Sequence, residues 1–145
     1  MIASPDLELQ KAVIDALSAD VSLMALVHDV YDSAKVPSDQ AANGAPWGEV
    51  EGYVSFGPET EIEDNHDCFS VEEITLQIDC WSRKVGRVHV KQIMQAVRVV
   101  LKSAELVLPS YGNVLPELEL KEITPDPETG VMHGILQFTF DVQVH

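Results

Sequence analysis

Basic side chains are scarce in this sequence. Nine Lys and Arg stand against 24 Asp and Glu, a formal net charge of −15 over 145 residues. A surface of that sign repels the phosphate backbone, which argues against tight nucleic-acid binding. Cysteine is nearly absent: Cys68 and Cys80 are spaced neither as a zinc knuckle nor as a redox dithiol. Both are expected to be free thiols and small buried residues, Cys80 on an apolar strand face. No basic segment followed by an apolar run opens the chain, so no export signal is expected, and no apolar stretch approaches a membrane span. The expected place of synthesis and residence is the cytoplasm until assembly. A glycine-rich phosphate loop, a His-Glu-x-x-His pair and a Gly-x-Ser-x-Gly elbow are also missing. The expectation is a protein that is not an enzyme and that carries no cofactor and no metal.

What is present is an ordinary globular balance, 46% hydrophobic and 23% charged residues, which excludes wholesale disorder. At 16.0 kDa a single domain over residues 1–145 is expected. Area scaling leaves roughly 7,400 Å² exposed and buries about 68% of the unfolded surface, enough for stability without disulfide or metal. The acidity keeps such a domain soluble and holds off association until a partner supplies matching shape and counter-charge.

Ser4-Pro5-Asp6 is a helix start, with Ser4 as cap and Pro5 in the first helical position. Leu9, Val13 and Leu17, joined by Ala12 and Ala16, form its buried stripe. Asp20 is expected to cap a short helical run with Leu23, Met24, Leu26 and Val27, and Val30-Tyr31-Asp32 a short strand. Residues 35–48 hold Pro37, Asn43, Gly44, Pro46 and Gly48, a loop. Gly52 to Pro58 is a strand with an abrupt end, Tyr53 and Ser55 facing one way and Val54 and Phe56 the other. Alternation is cleanest from Glu73 to Trp81: Ile74, Leu76, Ile78 and Cys80 on one face, Thr75, Gln77, Asp79 and Trp81 on the other. Val90 to Lys102 is helical, with Ile93, Val97, Val100 and Leu101 inward. A loop with Pro109, Gly112 and Pro116 leads to a strand in which Leu118 and Leu120 alternate with Glu117, Glu119 and Lys121 through Ile123. After the turn Pro125–Gly130, Ile135 to Val144 is a strand with Leu136, Phe138, Phe140, Val142 and Val144 on one face, and the last two strands form a hairpin.

This order predicts an α+β fold, a mainly antiparallel β-sheet with two main helices packed on one face. The other face, with Thr75, Gln77, Asp79, Trp81, Gln137, Thr139, Asp141 and Gln143, is left for water or a partner.

Candidate interaction residues follow from that arrangement. Glu59, Glu61, Glu63, Asp64 and Asp67, with His66, form an acidic segment read as an exposed arm: a solvated hairpin tip, or a partner contact. Trp81 either covers the sheet end or anchors an interface. Gln137, Thr139 and Asp141 represent the polar sheet face. Asp64-Asn65-His66-Asp67-Cys68 offers metal-ligating groups, but neighbouring side chains in an extended loop diverge, and nothing fixes His28, His89 or His133 nearby.

Ala12 to Asp20, then Leu23 to Val27 and Val30-Tyr31-Asp32, resemble the opening of the tail-completion (tail-terminator) proteins of long-tailed phages and gene-transfer agents. Tyr53-Val54-Ser55-Phe56-Gly57 resembles that family's strand ending in glycine. Ile74 to Arg83 resembles its strand ending in tryptophan and a polar pair, and the helix after Gly86 also fits. The resemblance covers nearly the whole chain to Leu101 and continues loosely through the last hairpin; order and spacing carry it rather than a single motif. The 59–67 arm and the Trp47–Glu51 insertion depart from the pattern. The resemblance implies a structural virion protein, a homohexameric ring at the head-proximal end of the tail tube that ends tail growth and joins tail to neck. Its implied partners are further copies of itself, the tail tube protein and a neck or stopper protein, with DNA passing through the channel unbound and no membrane involved. It brings no catalytic residues. Two other readings remain open: another neck subunit, stopper or head-tail adaptor, and a small acidic binding protein or inhibitor acting as a monomer.

Overall fold

The computed structural model describes residues 3–33, 46–65 and 68–144. Proline at its start and the Leu9, Val13, Leu17 stripe give helix α1, Pro5–Ala19, whose stripe is fully buried. Ser4 occupies the cap position in extended conformation, but its side chain caps nothing; its carbonyl accepts from the Glu8 N–H at 3.1 Å. Asp20 does cap, its carboxylate accepting from the Leu23 N–H at 2.8 Å to start the one-turn α2, Val21–Met24. Strands β1 (Val30–Tyr31), β2 (Gly52–Asn65) and β3 (Ser70–Ser82) follow, then α3 (Val88–Ser103), β4 (Leu106–Leu108), β5 (Gly112–Val114), β6 (Pro116–Pro125) and β7 (Met132–Val144).

Five strands form one sheet in the order β1-β2-β3-β7-β6, antiparallel except for the short parallel pair β1–β2. Strands β3 and β7 pair from Ser70↔Val144 to Ser82↔Met132, so Ile74 faces across to Phe140 and Ile78 to Leu136. The predicted alternation is realised: Ile74, Leu76, Ile78, Cys80, Leu136, Phe138, Phe140 and Val142 are buried beneath α1 and α3. Helix α3 approaches closely, and a Cβ added at Gly134 would lie 2.5 Å from the Met94 sulfur. His89, on α3, is buried and ties three elements together. Its Nδ1 lies 2.7 Å from Ser82 Oγ at the end of β3, and its Nε2 lies 2.9 Å from the Leu26 carbonyl. Burial lowers its pKa below the usual histidine value, offset in part by the bond to Leu26.

Four expectations besides the Ser4 cap need correction. Strand β2 does not stop at Pro58; it runs on to Asn65 through a register shift between Phe56 and Glu59, where Gly57-Pro58 forms a bulge. The segment expected as a loop around Pro109 and Gly112 contains the β4–β5 hairpin, because Leu106, Leu108 and Val114 bury against α1 and Gly112 takes a positive φ of 92° at its turn. Leu118 and Leu120 do not share a face. A second bulge, between Leu118 and Leu120, pairs Leu118 with Phe138 but Leu120 with Gln137, so Leu120 sits on the polar side, 40% exposed. Cys68 is exposed rather than buried, while Cys80 is buried as expected; both are free thiols. Pro37, Asn43 and Gly44 of the expected 35–48 loop lie outside the described residues.

The facing of β7 predicts a sharp contrast. Phe140→Ala should cost about 3–5 kcal/mol through the cavity it leaves, whereas Gln143→Ala should stay within about 0.5 kcal/mol. Urea denaturation of the two variants checks this, and comparable losses would mean the strand is misfaced.

Candidate interaction surface

The sheet face away from the helices is polar by register. Gln137 Nε2 donates to Gln77 Oε1 at 3.1 Å, and Gln77 Nε2 donates to Asp79 Oδ1 at 2.9 Å. His133 Nε2 lies 2.8 Å from that same Asp79 oxygen. Asp79 is buried on this face, and these donors are what make that tolerable. Gly57 makes room for the network: a Cβ there would meet Asp79 Oδ2 at 2.6 Å and Gln77 Nε2 at 2.9 Å. Thr75 and Thr139 hydroxyls face each other at 3.3 Å, and Glu73 stands opposite Asp141 in register. Pairing also puts Glu117 beside Thr139 and Glu122 beside Ile135, so the strand registers bring carboxylates but no lysine or arginine to this face.

Trp81 does not project as a free anchor. Its ring stacks on His133 at 3.8 Å and lies near-parallel to Tyr53 at 5.8 Å, and its indole N–H donates to Ser55 Oγ at 2.9 Å. Trp47 packs edge-on against Tyr53 at 5.0 Å, and Arg83 lies 5.3 Å over the Trp47 ring. The Trp47–Glu51 segment thus closes one end of the polar face, and Trp81 covers the end of the sheet there, half-buried. Nothing in the periodicity flags Trp47; its only signal is being an aromatic in a polar segment.

The bulge at Gly57-Pro58 turns the acidic residues. Glu59 pairs with Leu76, Glu61 with Ile74 and Glu63 with Glu72, which places these glutamates on the helix side of the sheet edge, all exposed. Asp64 pairs with Val71 on the open side. The segment is therefore not a detached arm but the outer half of a paired strand. His66 and Asp67 lie outside the described residues, and among the described residues no group of three His, Cys, Asp or Glu is placed to hold a metal ion. The first turn of α1 adds further acid: Asp6 raises the Glu59 carboxyl, after burial. Nearby, Ser110 N–H donates to Glu8 at 2.8 Å and Tyr111 donates to the Ala3 carbonyl at 2.9 Å.

A model of the family described as tail completion protein gp17 matches residues 11–143. The chain belongs to that family. It is similar to a chain of the native gene transfer agent virion, with 27% identity and a TM-score of 0.77, the match covering 94% of this chain and 95% of that one. The bacteriophage SPP1 gp17 protein shares the fold at 22% identity and a TM-score of 0.62, over 92% of this chain and 88% of that one. No curated relative matches the sequence. Family membership makes this a structural protein of the tail–neck region of a phage-type particle.

In this tail completion protein the expected site residues divide into two surfaces. Gln137, Thr139 and Asp141 share the open face, whereas Glu59, Glu61 and Glu63 lie along the β2 edge on the other side. Crowding there has a measurable consequence. The Glu61 carboxyl is raised from 4.5 to about 7, first by a hydrogen bond with Glu72, then by burial and by the charges of Glu72, Asp6 and Glu59. The folded protein holds this proton more tightly than the unfolded chain, so its stabilising contribution is full below pH 4.5 and is lost as pH rises through about 7. Glu61→Gln abolishes that titration. Between about pH 5 and about pH 8 the variant's melting temperature should fall less than that of the unmodified protein; parallel curves would show that no proton is shared there.

Proposed function

We propose that this protein forms a ring at the head-proximal end of the tail tube, where it ends tube growth and joins the tail to the neck. The family match over residues 11–143 carries this reading, and the likeness to a gene transfer agent virion chain supports it. The physical character of the chain agrees with the role. An acidic open sheet face suits a channel wall that DNA passes without adhering, since phosphates are repelled along its length.

The polar groups with a catalytic look are consumed by the fold. Ser82 and His89 stand in a nucleophile–base geometry, but Ser82 has 0% exposure, and the third partner is the Leu26 backbone carbonyl. With that hydroxyl buried, the pair serves as a structural staple, and membership of a family of structural virion proteins supports the reading of a protein without catalytic function.

Two measurements test the proposal. Purified protein should cap isolated tail tubes at one end, and particles assembled without it should carry tubes of uncontrolled length. Tubes of normal length in its absence would instead make it a stopper or head-tail adaptor. For the channel wall, reversing Glu73 and Asp141 to lysine should slow DNA ejection while leaving assembly intact. Unchanged ejection kinetics would remove the open face from the lumen.

A further inference from the structure

The few basic residues of this acidic chain are not scattered. Six of the nine, Arg83, Lys84, Arg87, Lys91, Arg98 and Lys102, fall within twenty positions, and no Asp or Glu occurs between Asp79 and Glu105. Helix α3 therefore carries cations and no acid. Among the described residues neither Lys91, Arg98 nor Lys102 is in an ion pair with an acid. Arg98 and Lys102, against the single acid Glu117, line a groove of about 500 Å³ between α3 and β6, floored by Leu118 and Phe138, with Val99 52% exposed on its wall. Lys121 lies on the same side of β6, paired with Leu136.

The opposite edge of the same sheet carries the complement. Strand β1 covers β2 only at Val54 and Ser55, so beyond the Gly57-Pro58 bulge the outer edge of β2 has no neighbour among the described strands. That edge presents Glu59, Glu61 and Glu63 on the helix side and Ile62, 61% exposed, on the other.

We infer that the α3–β6 groove of one copy receives the β2 edge, residues 59–65, of the next copy, a head-to-tail contact between copies of this chain. The inference rests on the ring reading and specifies its subunit junction. A second copy is the occupant because the groove's cations, Arg98 and Lys102 with Lys121 beside them, outnumber its one acid, Glu117, and face three glutamates on the edge, and because both surfaces offer apolar side chains, Val99, Leu118 and Phe138 in the groove and Ile62 on the edge. Lying on opposite edges of one sheet, they are different patches, so the contact is heterologous and propagates around an axis instead of closing a two-fold dimer. At a net charge of −15 two copies repel at long range. Association then depends on this local match, and wrong alignments place acid against acid.

The test uses the full chain, measured by sedimentation velocity and electron microscopy, alone and on tail tubes. The groove variant Arg98→Glu/Lys102→Glu and the edge variant Glu61→Lys/Glu63→Lys should each weaken self-association by about tenfold or more. Mixing the two variants in equal amounts should restore rings, because every junction of an alternating assembly again pairs opposite charges. That restoration also answers any concern about folding, as does the milder pair Arg98→Gln and Glu63→Gln, expected to weaken association in the same direction. Asp141→Lys, on the open face, should leave association unchanged. Rings that ignore both reversals, or reversed variants that stay apart when mixed, overturn this junction while the ring reading survives. A chain that stays monomeric at every concentration and on tubes overturns both.

Discussion

Thirteen consecutive residue pairs between β3 and β7 set the position of nearly everything else in this protein. Side chains alternate with a period of two, so a slip of one residue would carry Ile74, Leu76, Phe138 and Phe140 to the solvent and draw Gln77, Asp79 and Thr139 under the helices. The two strands alternate in phase with each other, which makes that slip prohibitive. Once the register holds, α3 can settle against β7 at Gly134, and His89 can join the end of β3 to the end of α2. The acidic and basic edges, on β2 and beside β6, then lie on opposite sides of one rigid sheet.

The polar face is held to the same standard of satisfaction as the core. A buried Asp79 on an open sheet would be costly alone, but it accepts from Gln77 and is met by His133, whose ring is in turn stacked on Trp81. The stack fixes the ring, the ring is held at the carboxylate, and Gly57 keeps the space that both glutamine and carboxylate need. This end of the face is therefore a preorganised wall. At the other end Thr139 is buried beside a half-buried Thr75, and Glu73 and Asp141 stand exposed to water.

Most of the fold was legible because the long strands and both main helices satisfy burial through a single period. Residues 73–81 and 135–144 alternate without interruption, and the α1 and α3 stripes recur at helical spacing, so pattern and structure agree. Where they part, a bulge or a tight turn intervenes. Gly57-Pro58 reads as a terminator, since proline removes a ladder donor, yet here it shifts the register and the strand resumes with its faces exchanged. The same event hid the direction of the acidic segment: the sequence shows five acids in a row of nine positions, not that Glu59, Glu61 and Glu63 turn toward the helices. Leu120 was misfaced for the same reason. The β4–β5 hairpin is too short for alternation to register, and only Gly112 marks its turn. For the site, Gln137, Thr139 and Asp141 were placed correctly on one face, while Trp81 and its partners depend on contacts across 26 and more positions that no local pattern encodes.

Net charge alone would be a poor basis for a channel that DNA must traverse, because repulsion acts over about a Debye length, roughly 8 Å at physiological salt. What matters is where the charges lie. The open face gathers carboxylates with no lysine or arginine in register, and the cations of α3, Lys91, Arg98 and Lys102, lie on the helix side, while Arg83 sits over Trp47 at one end of the open face. A subunit placed with its open face toward the axis would show DNA a polar wall whose charges in register are all acidic. In that arrangement the cations of α3 would be turned away from the phosphates, toward the acidic edge of a neighbour. In the proposed ring, one partition of charge across one sheet would serve both needs: a lumen that does not bind its cargo, and subunit junctions that hold between molecules which otherwise repel.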